Sequence, residues 1–233
     1  MYSPTILFVL TSHGRLGNTG RPTGYYVSDL AHAAAVFRDA GYGMDFLSVR
    51  GGDAPREEGV NLADPVVAGF LGDPGTAERL RATLAPRDVR PDEYAAVYFA
   101  GGHGTMWDFP YDEALAALTR GVYESGGIVA AVCHGSAALV NVTLGDGSHL
   151  VAGRRVACFT DAEEASIGLD EVVPFPLEST LAGLGALLST APDFQEHAVL
   201  DERLVTGQNP ASATKVAQLV TAALRAQARP LER

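Results

Sequence analysis

The sequence predicts an α/β protein, a three-layer α/β/α sandwich around a mostly parallel central sheet. Three observations carry this. Short apolar runs suited to buried strands, such as residues 5–10 and 95–100, alternate with longer segments of helical period. Residues 5–49 run strand, helix, strand, a βαβ unit that requires parallel strands and a right-handed crossover. Polar and Gly-rich turns then follow the strands, where open parallel sheets bind their ligands.

The elements follow in chain order. Residues 5–10 (TILFVL) form a first buried strand, and residues 11–23 a polar loop. Residues 24–40 read as a helix, because Val27, Leu30, Ala34 and Phe37 recur on one face and Gly41 stands where a C-terminal cap belongs. Residues 44–49 give the second strand. Residues 50–75, rich in Gly, Pro and Asp, read as a surface excursion with at most a short helix. Residues 76–84 read as helix, 95–100 as strand and 111–125 as helix, with Leu115, Leu118 and Val122 inward. Strand 128–132 runs without a loop into helix-forming residues 136–140. After a loop at 145–153 come a strand at 155–159 and a capped helix start at Thr160. A helix at 176–188, two short strands at 197–201 and 203–206, and a closing helix at 212–225 complete the chain, whose last residues are expected to fray. The absence of repeats and linkers makes residues 1–233 a single domain in this reading.

Composition narrows the function classes. Of the 233 residues 47% are apolar, enough for a large core. The net charge is −11, from 17 Lys and Arg against 28 Asp and Glu, with no basic cluster, which argues against nucleic acid. No apolar run reaches the length of a membrane span, and the N-terminal residues lack the pattern of a signal peptide. Two Cys without a C-x-x-C spacing give no disulfide framework, so a cytoplasmic location is expected.

The chemistry centres on Gly127-Ile-Val-Ala-Ala-Val-Cys-His-Gly-Ser136. Ala131-x-Cys133-x-Gly135 has the small-x-nucleophile-x-small form of a nucleophile elbow, with Cys at the apex. Small residues on either side let strand and helix approach, so that helix N–H groups and the helix dipole favour a thiolate. Against this stands the ordinary fate of a free Cys, an inert and buried small hydrophobe. His134 follows directly as acid–base partner, or else fills space at a helix start. Glu163 and Glu164, past a later strand end, are placed to orient an imidazole or to stabilise a helix N-terminus. Gly101 and Gly102, with the N–H of His134, are candidates for an oxyanion site. Asp29 sits on the first helix, where a carboxylate is ordinarily solvated. Six His, at 13, 32, 103, 134, 149 and 197, show no metal-ligand spacing, so no metal is expected.

Together these stretches resemble the ThiJ/PfpI superfamily, in its cofactor-free glyoxalase III and stress-chaperone branch. The matching residues are Thr23-Gly24 with Asp29 and His32, Ala40-Gly41-Tyr42 with Asp45, Phe46 and Ser48, and Gly101-Gly102-His103-Gly104-Thr105 with Asp108 and Pro110. They continue through Ala130 to Gly135, Phe159-Thr160-Asp161 with Glu164, and Thr206-Gly207 with Asn209, Pro210 and Ser212. The resemblance spans nearly the whole chain. It implies a fold of the flavodoxin-like, class I glutamine amidotransferase-like type, with Cys133 as reactive thiol and His134 as its partner. It also implies Glu164 as the orienting carboxylate, with Glu163 one register away, and an oxyanion site at Gly101 and Gly102.

The implied function is a cofactor-independent lyase or hydratase that converts a 2-oxoaldehyde to a 2-hydroxy acid through a hemithioacetal on Cys133. A homodimer acting on a small molecule is expected from the superfamily. The chain departs from the glyoxalase branch at two places, with Asp29 where that branch has Glu and Ala33 where it usually has Pro. The isonitrile hydratases of the superfamily have Asp at the former position, which leaves hydration of an isonitrile by Cys133 and Asp29 as an alternative. A sensor or chaperone working through oxidation of Cys133 is a third reading.

Overall fold

The computed structural model describes residues 4–228, so residues 1–3 and the fraying expected of residues 229–233 lie outside the described residues. The strands are β1 (Thr5–Leu10), β2 (Gly43–Ser48), β3 (Tyr94–Phe99), β4 (Ile128–Val132), β5 (Arg155–Val156), β6 (Leu187–Leu188), β7 (Ala198–Asp201) and β8 (Leu204–Gly207). The helices are α1 (Val27–Asp39), α2 (Pro65–Gly72), α3 (Pro74–Arg81), α4 (Thr105–Asp108), α5 (Glu113–Glu124), α6 (Asp161–Ser166), α7 (Leu177–Gly183) and α8 (Ala213–Ala228).

The main sheet has six strands in the order β2-β1-β3-β4-β8-β7, parallel except for β7. Every residue of β4 is buried, as its unbroken apolar run requires. Helix α8 packs on α1 and on strands β4 and β8, while α5 packs on β3 and β4. Right-handed crossovers place these two helix sets on opposite faces. The face of α1 expected to be apolar is the buried one, with Val27, Leu30, Ala34 and Phe37 all inward. Rings of Phe8, Phe37, Phe46 and Tyr98 meet edge-on or stacked between β1, β2, β3 and α1. Burial of each such side chain is worth roughly 1.5–3 kcal/mol.

Several elements differ from the sequence reading. Helix α1 starts at Val27 rather than at residue 24, because residues 24–26 form an extended strap. Tyr25 N–H donates to Pro55 O at 2.9 Å and Tyr26 N–H to Gly101 O at 2.8 Å. The 50–75 segment holds α2 and the start of α3, whose N-termini are capped by the carboxylates of Asp64 and Asp73 ahead of Pro65 and Pro74. The segment is anchored by Val67 and Phe70, both buried. The strand expected at 155–159 pairs only over β5, with β6, in a separate two-stranded sheet. Beyond it, Ala157 N–H donates to Thr206 Oγ1 at 2.9 Å, which diverts the chain from a ladder. Helix α7 ends at Gly183, and the chain turns through Gly185 (φ +91°) into β6.

Candidate active site

The carboxyl ends of β1, β3 and β4 converge, as a parallel sheet requires, and Cys133 leaves β4 at that point. Cys133 has φ +58°, a left-handed conformation that is uncommon for a residue with a β-carbon and marks a tight apex. A β-carbon on Gly135 would run into Phe99 O and stand 3.0 Å from the Ala100 carbonyl carbon, so this glycine is what lets the elbow close on β3. The segment that follows is a buried 3-10 helix over Cys133–Leu139, not the α-helix expected.

The side chains form a chain of hydrogen bonds. Cys133 Sγ lies 3.3 Å from His134 Nδ1, and His134 Nε2 lies 2.6 Å from Glu164 Oε2. The adjacent Cys and His therefore do face each other, and the strained elbow makes this possible where a regular helix would not. Glu164 comes from the first turn of α6. Glu163 points elsewhere, to the amides of Thr160 and Phe194 and the side chain of Asn209. Its part is to cap α6 and to tie that helix to residues following β8.

Burial favours protons on Glu164, but hydrogen bonds from His103 and His134 outweigh it and hold the carboxyl down at about 2. Glu164 is therefore ionised. Its close contact places the proton of His134 on Nε2 and leaves the Nδ1 lone pair facing the thiol. Burial, with His103 alongside, lowers the basicity of His134, so the ring rests neutral.

Asp29 is wholly buried on α1. Burial raises its carboxyl well above the usual range, and the charge of Glu57 adds to this, so both favour the neutral form of Asp29. Its Oδ2 accepts the Gly101 N–H at 3.1 Å, while Oδ1 is buried with no hydrogen-bond partner among the described residues. With Oδ2 taken by the Gly101 N–H, Oδ1 is the oxygen left to carry a proton. A β-carbon on Gly101 would overlap Asp29 Oδ2 and stand 2.7 Å from Cβ of Cys133, so carboxyl and thiol side chain share the space that this glycine leaves.

Two expectations are corrected here. The Gly101 N–H is committed to Asp29 and does not belong to the oxyanion site. The amide of Gly102 (φ +110°) has no acceptor among the described residues, and that of His134 faces the thiol. The thiol is also not a low-pKa thiolate at rest. Cys133 is 4% exposed, and burial together with the nearby Asp29 pushes it well above its ordinary value, against the lowering effect of the His134 amide.

Sequence reasoning missed Glu57, and it placed His103 in a motif without giving it a role. Glu57 Oε1 accepts the His103 N–H at 2.7 Å and lies 3.2 Å from His103 Nδ1, while His103 Nε2 lies 2.9 Å from Glu164 Oε1. His103, His134 and Glu164 offer ligand-type atoms within 4.8 Å of one another, but these atoms are already paired among themselves. The arrangement suits proton transfer to and from a sulfur nucleophile.

Comparison with known proteins agrees with this geometry. The DJ-1/PfpI family matches residues 23–223. The chain is 31% identical over 225 residues to the glutathione-independent glyoxalase HSP31 of Saccharomyces cerevisiae, covering 91% of this chain and 94% of that protein. It is 30% identical to glyoxalase 3 of Candida albicans, covering 94% and 97%. The crystal structure of glyoxalase III from Candida albicans superposes with a TM-score of 0.86 at 28% identity, covering 94% and 97% of the two chains. The Rapid Encystment Protein 24 kDa of Francisella tularensis superposes with a TM-score of 0.91 at 36% identity, covering 95% and 99%. Matched along most of its length in sequence and in fold, with its thiol at the elbow, this chain belongs to the DJ-1/PfpI family.

Proposed function

We propose that the protein is a glutathione-independent glyoxalase that converts a small 2-oxoaldehyde, such as methylglyoxal, to the 2-hydroxy acid. One observation carries the reading: a buried thiol has the imidazole acceptor His134 Nδ1 at 3.3 Å and shares the space beside Gly101 with the buried carboxyl of Asp29, whose Oδ1 has no partner among the described residues. The similarity to named glyoxalases over nearly the full chain supports it.

The steps follow from the geometry. His134 Nδ1 takes the thiol proton as Sγ bonds to the aldehyde carbon. The new oxyanion lies against the amides of Gly102 and His134 and is protonated to the hemithioacetal. A base removes the carbon-bound hydrogen, and Asp29 protonates the neighbouring carbonyl oxygen to give an enediol. Reprotonation at the second carbon yields a thioester on Cys133. Water cleaves this, releasing the hydroxy acid and restoring the thiol, so the net change is addition of one water. Burial of Cys133 and His134 limits the reaction to small substrates.

Asp29 in place of the longer acid of the glyoxalase branch favours a second reading, hydration of an isonitrile by the same thiol and carboxyl. The burial and raised pKa of Cys133 run against a peroxide sensor. The test is methylglyoxal consumption with lactate detection, without glutathione or added metal, on wild type, Cys133→Ala and Asp29→Glu. Turnover in wild type that is abolished in Cys133→Ala supports the glyoxalase, and a rise in Asp29→Glu marks an acid short of reach. Turnover in none of the three rejects it and directs the assay to isonitriles.

A further inference from the structure

We propose that His103 is held as an imidazolium between Glu57 and Glu164, and that this fixed cation is a positioning device that keeps His134 a neutral, Nε2-protonated base toward Cys133. The proposal rests on the reading of Cys133 as nucleophile, and it gives Glu57 and the 50–75 segment a part in the active site. His103 has a carboxylate oxygen at each ring nitrogen, at 3.2 and 2.9 Å. A neutral imidazole has one N–H and could satisfy only one of them, whereas a doubly protonated ring donates to both. Burial alone would lower its pKa, but the bonds to Glu164 and Glu57 reverse this and raise it to about 9. Thr23 Oγ1 and the His103 amide both donate to Glu57 Oε1 and keep that carboxylate in place.

The cation lies over its target. The rings of His103 and His134 have centroids 4.1 Å apart and are tilted by 40°, and the Phe159 ring packs beside His134 with centroids 4.3 Å apart. A second positive charge on His134 is disfavoured by that stack. Glu164 is shared, with one oxygen to each histidine, so the charge of His103 offsets the carboxylate that would otherwise draw a second proton onto His134. The charged or titratable groups facing His103 are thus Glu57, Glu164 and His134. Asp29, Tyr26 and Cys133 also feel the charge of Glu57, and each is shifted toward its neutral form. The consequence for catalysis is twofold. His134 is ready to accept the thiol proton at neutral pH, and once it has done so the neighbouring cation makes it a willing donor in the next step. His103 and Glu57 act through His134 and do not touch the reacting atoms.

The experiment is imidazole 15N NMR titration of wild type, Glu57→Gln and His103→Gln, together with the pH profile of kcat/KM for methylglyoxal. In wild type, His103 carries protons on both nitrogens at pH 7.5 and titrates near 9, while His134 carries one, on Nε2. In Glu57→Gln the His103 titration falls by a unit or more. In His103→Gln the His134 titration rises by about a unit, and the acid limb of the profile moves to higher pH with it. A neutral His103 at pH 7.5 in wild type overturns the proposal, as does an unmoved His134 titration in a folded His103→Gln protein. A lower melting temperature with no titration shift would show packing alone and would overturn it too. If methylglyoxal is not turned over, the NMR titrations and the pH dependence of Cys133 alkylation by iodoacetamide still decide the matter, so the two failures are distinguishable.

Discussion

Asp29 Oδ2 is hydrogen-bonded to the amide of Gly101 at 3.1 Å, linking the first turn of α1 to the end of β3. This bond fixes the carboxyl and leaves its other oxygen, Oδ1, buried without a partner among the described residues. Replacing Asp29 by Asn keeps an acceptor for Gly101 and a side chain of the same size, but removes the acidic proton. The expected result is a drop in kcat of about 10²–10⁴-fold with little change in melting temperature, read by lactate formation and thermal unfolding.

The space beside that bond is equally exacting. Gly101→Ala would set a β-carbon against Asp29 Oδ2 and Cβ of Cys133. Overpacking of this kind costs about 1–3 kcal/mol. The variant should fold with a lowered melting temperature and lose nearly all turnover. Wild-type kcat in Gly101→Ala would show that carboxyl and thiol do not work as a pair.

Glu164→Gln tests the tautomer of His134. The amide of Gln can donate to Nε2, which would move the ring proton to Nδ1 and block the thiol from transferring its own. A loss of about 10²–10⁴-fold in kcat is expected, with the His134 proton found on Nδ1 by 15N NMR. Glu163→Gln should act differently, lowering stability through α6 with a smaller effect on kcat, because that carboxylate caps the helix and bonds Asn209.

The pH dependence of stability carries a signature of His103. Its folded pKa, about 9, lies above the ordinary histidine value of about 6.5, so the folded state holds an extra proton between these values. Its stabilisation is complete below about 6.5 and is lost as pH rises through 9, an effect of up to roughly 3 kcal/mol. His134 is shifted the other way and acts below this window. Urea unfolding of wild type at pH 7.5 and 9.5 should show the loss, and His103→Gln should lack most of it.

Cys133 should react slowly with peroxide at pH 7.5, because it is buried and its thiol stays protonated. Intact-protein mass spectrometry after stepwise peroxide addition is the check. Sulfinate formed at substoichiometric peroxide would return the sensor reading to favour.

Strands β1 and β4 were legible in the sequence because a strand buried on both faces has no polar positions to blur its limits. The elbow was legible because close approach of backbone to backbone demands small residues at 131 and 135. Helix α2 is the short helix that the reading of residues 50–75 allowed. Asp64-Pro65 and Asp73-Pro74 are helix-start pairs, but the Gly- and Pro-rich stretch around them blurred its limits. Glu57 stands between Arg56 and Glu58, a charged run with the look of a solvated surface, and only the tertiary fold brings it to His103. The protonation states of Cys133 and Asp29 depend on burial by elements distant in sequence, so local pattern gave the residues and not their charges.

The position of β4 also has a bearing on synthesis. One edge of this wholly apolar strand is covered by β3, which precedes it, but the other pairs with β8, which begins about seventy residues later. At about 5–20 residues per second, the ribosome leaves that edge unpaired for roughly 4–14 s. During this interval the catalytic strand is an uncharged template open to any extended chain nearby. Truncation anywhere between β4 and β8 should therefore yield an aggregating polypeptide rather than a weakened enzyme. The antiparallel β7–β8 hairpin, formed rapidly from adjacent residues, is the piece that ends the exposure.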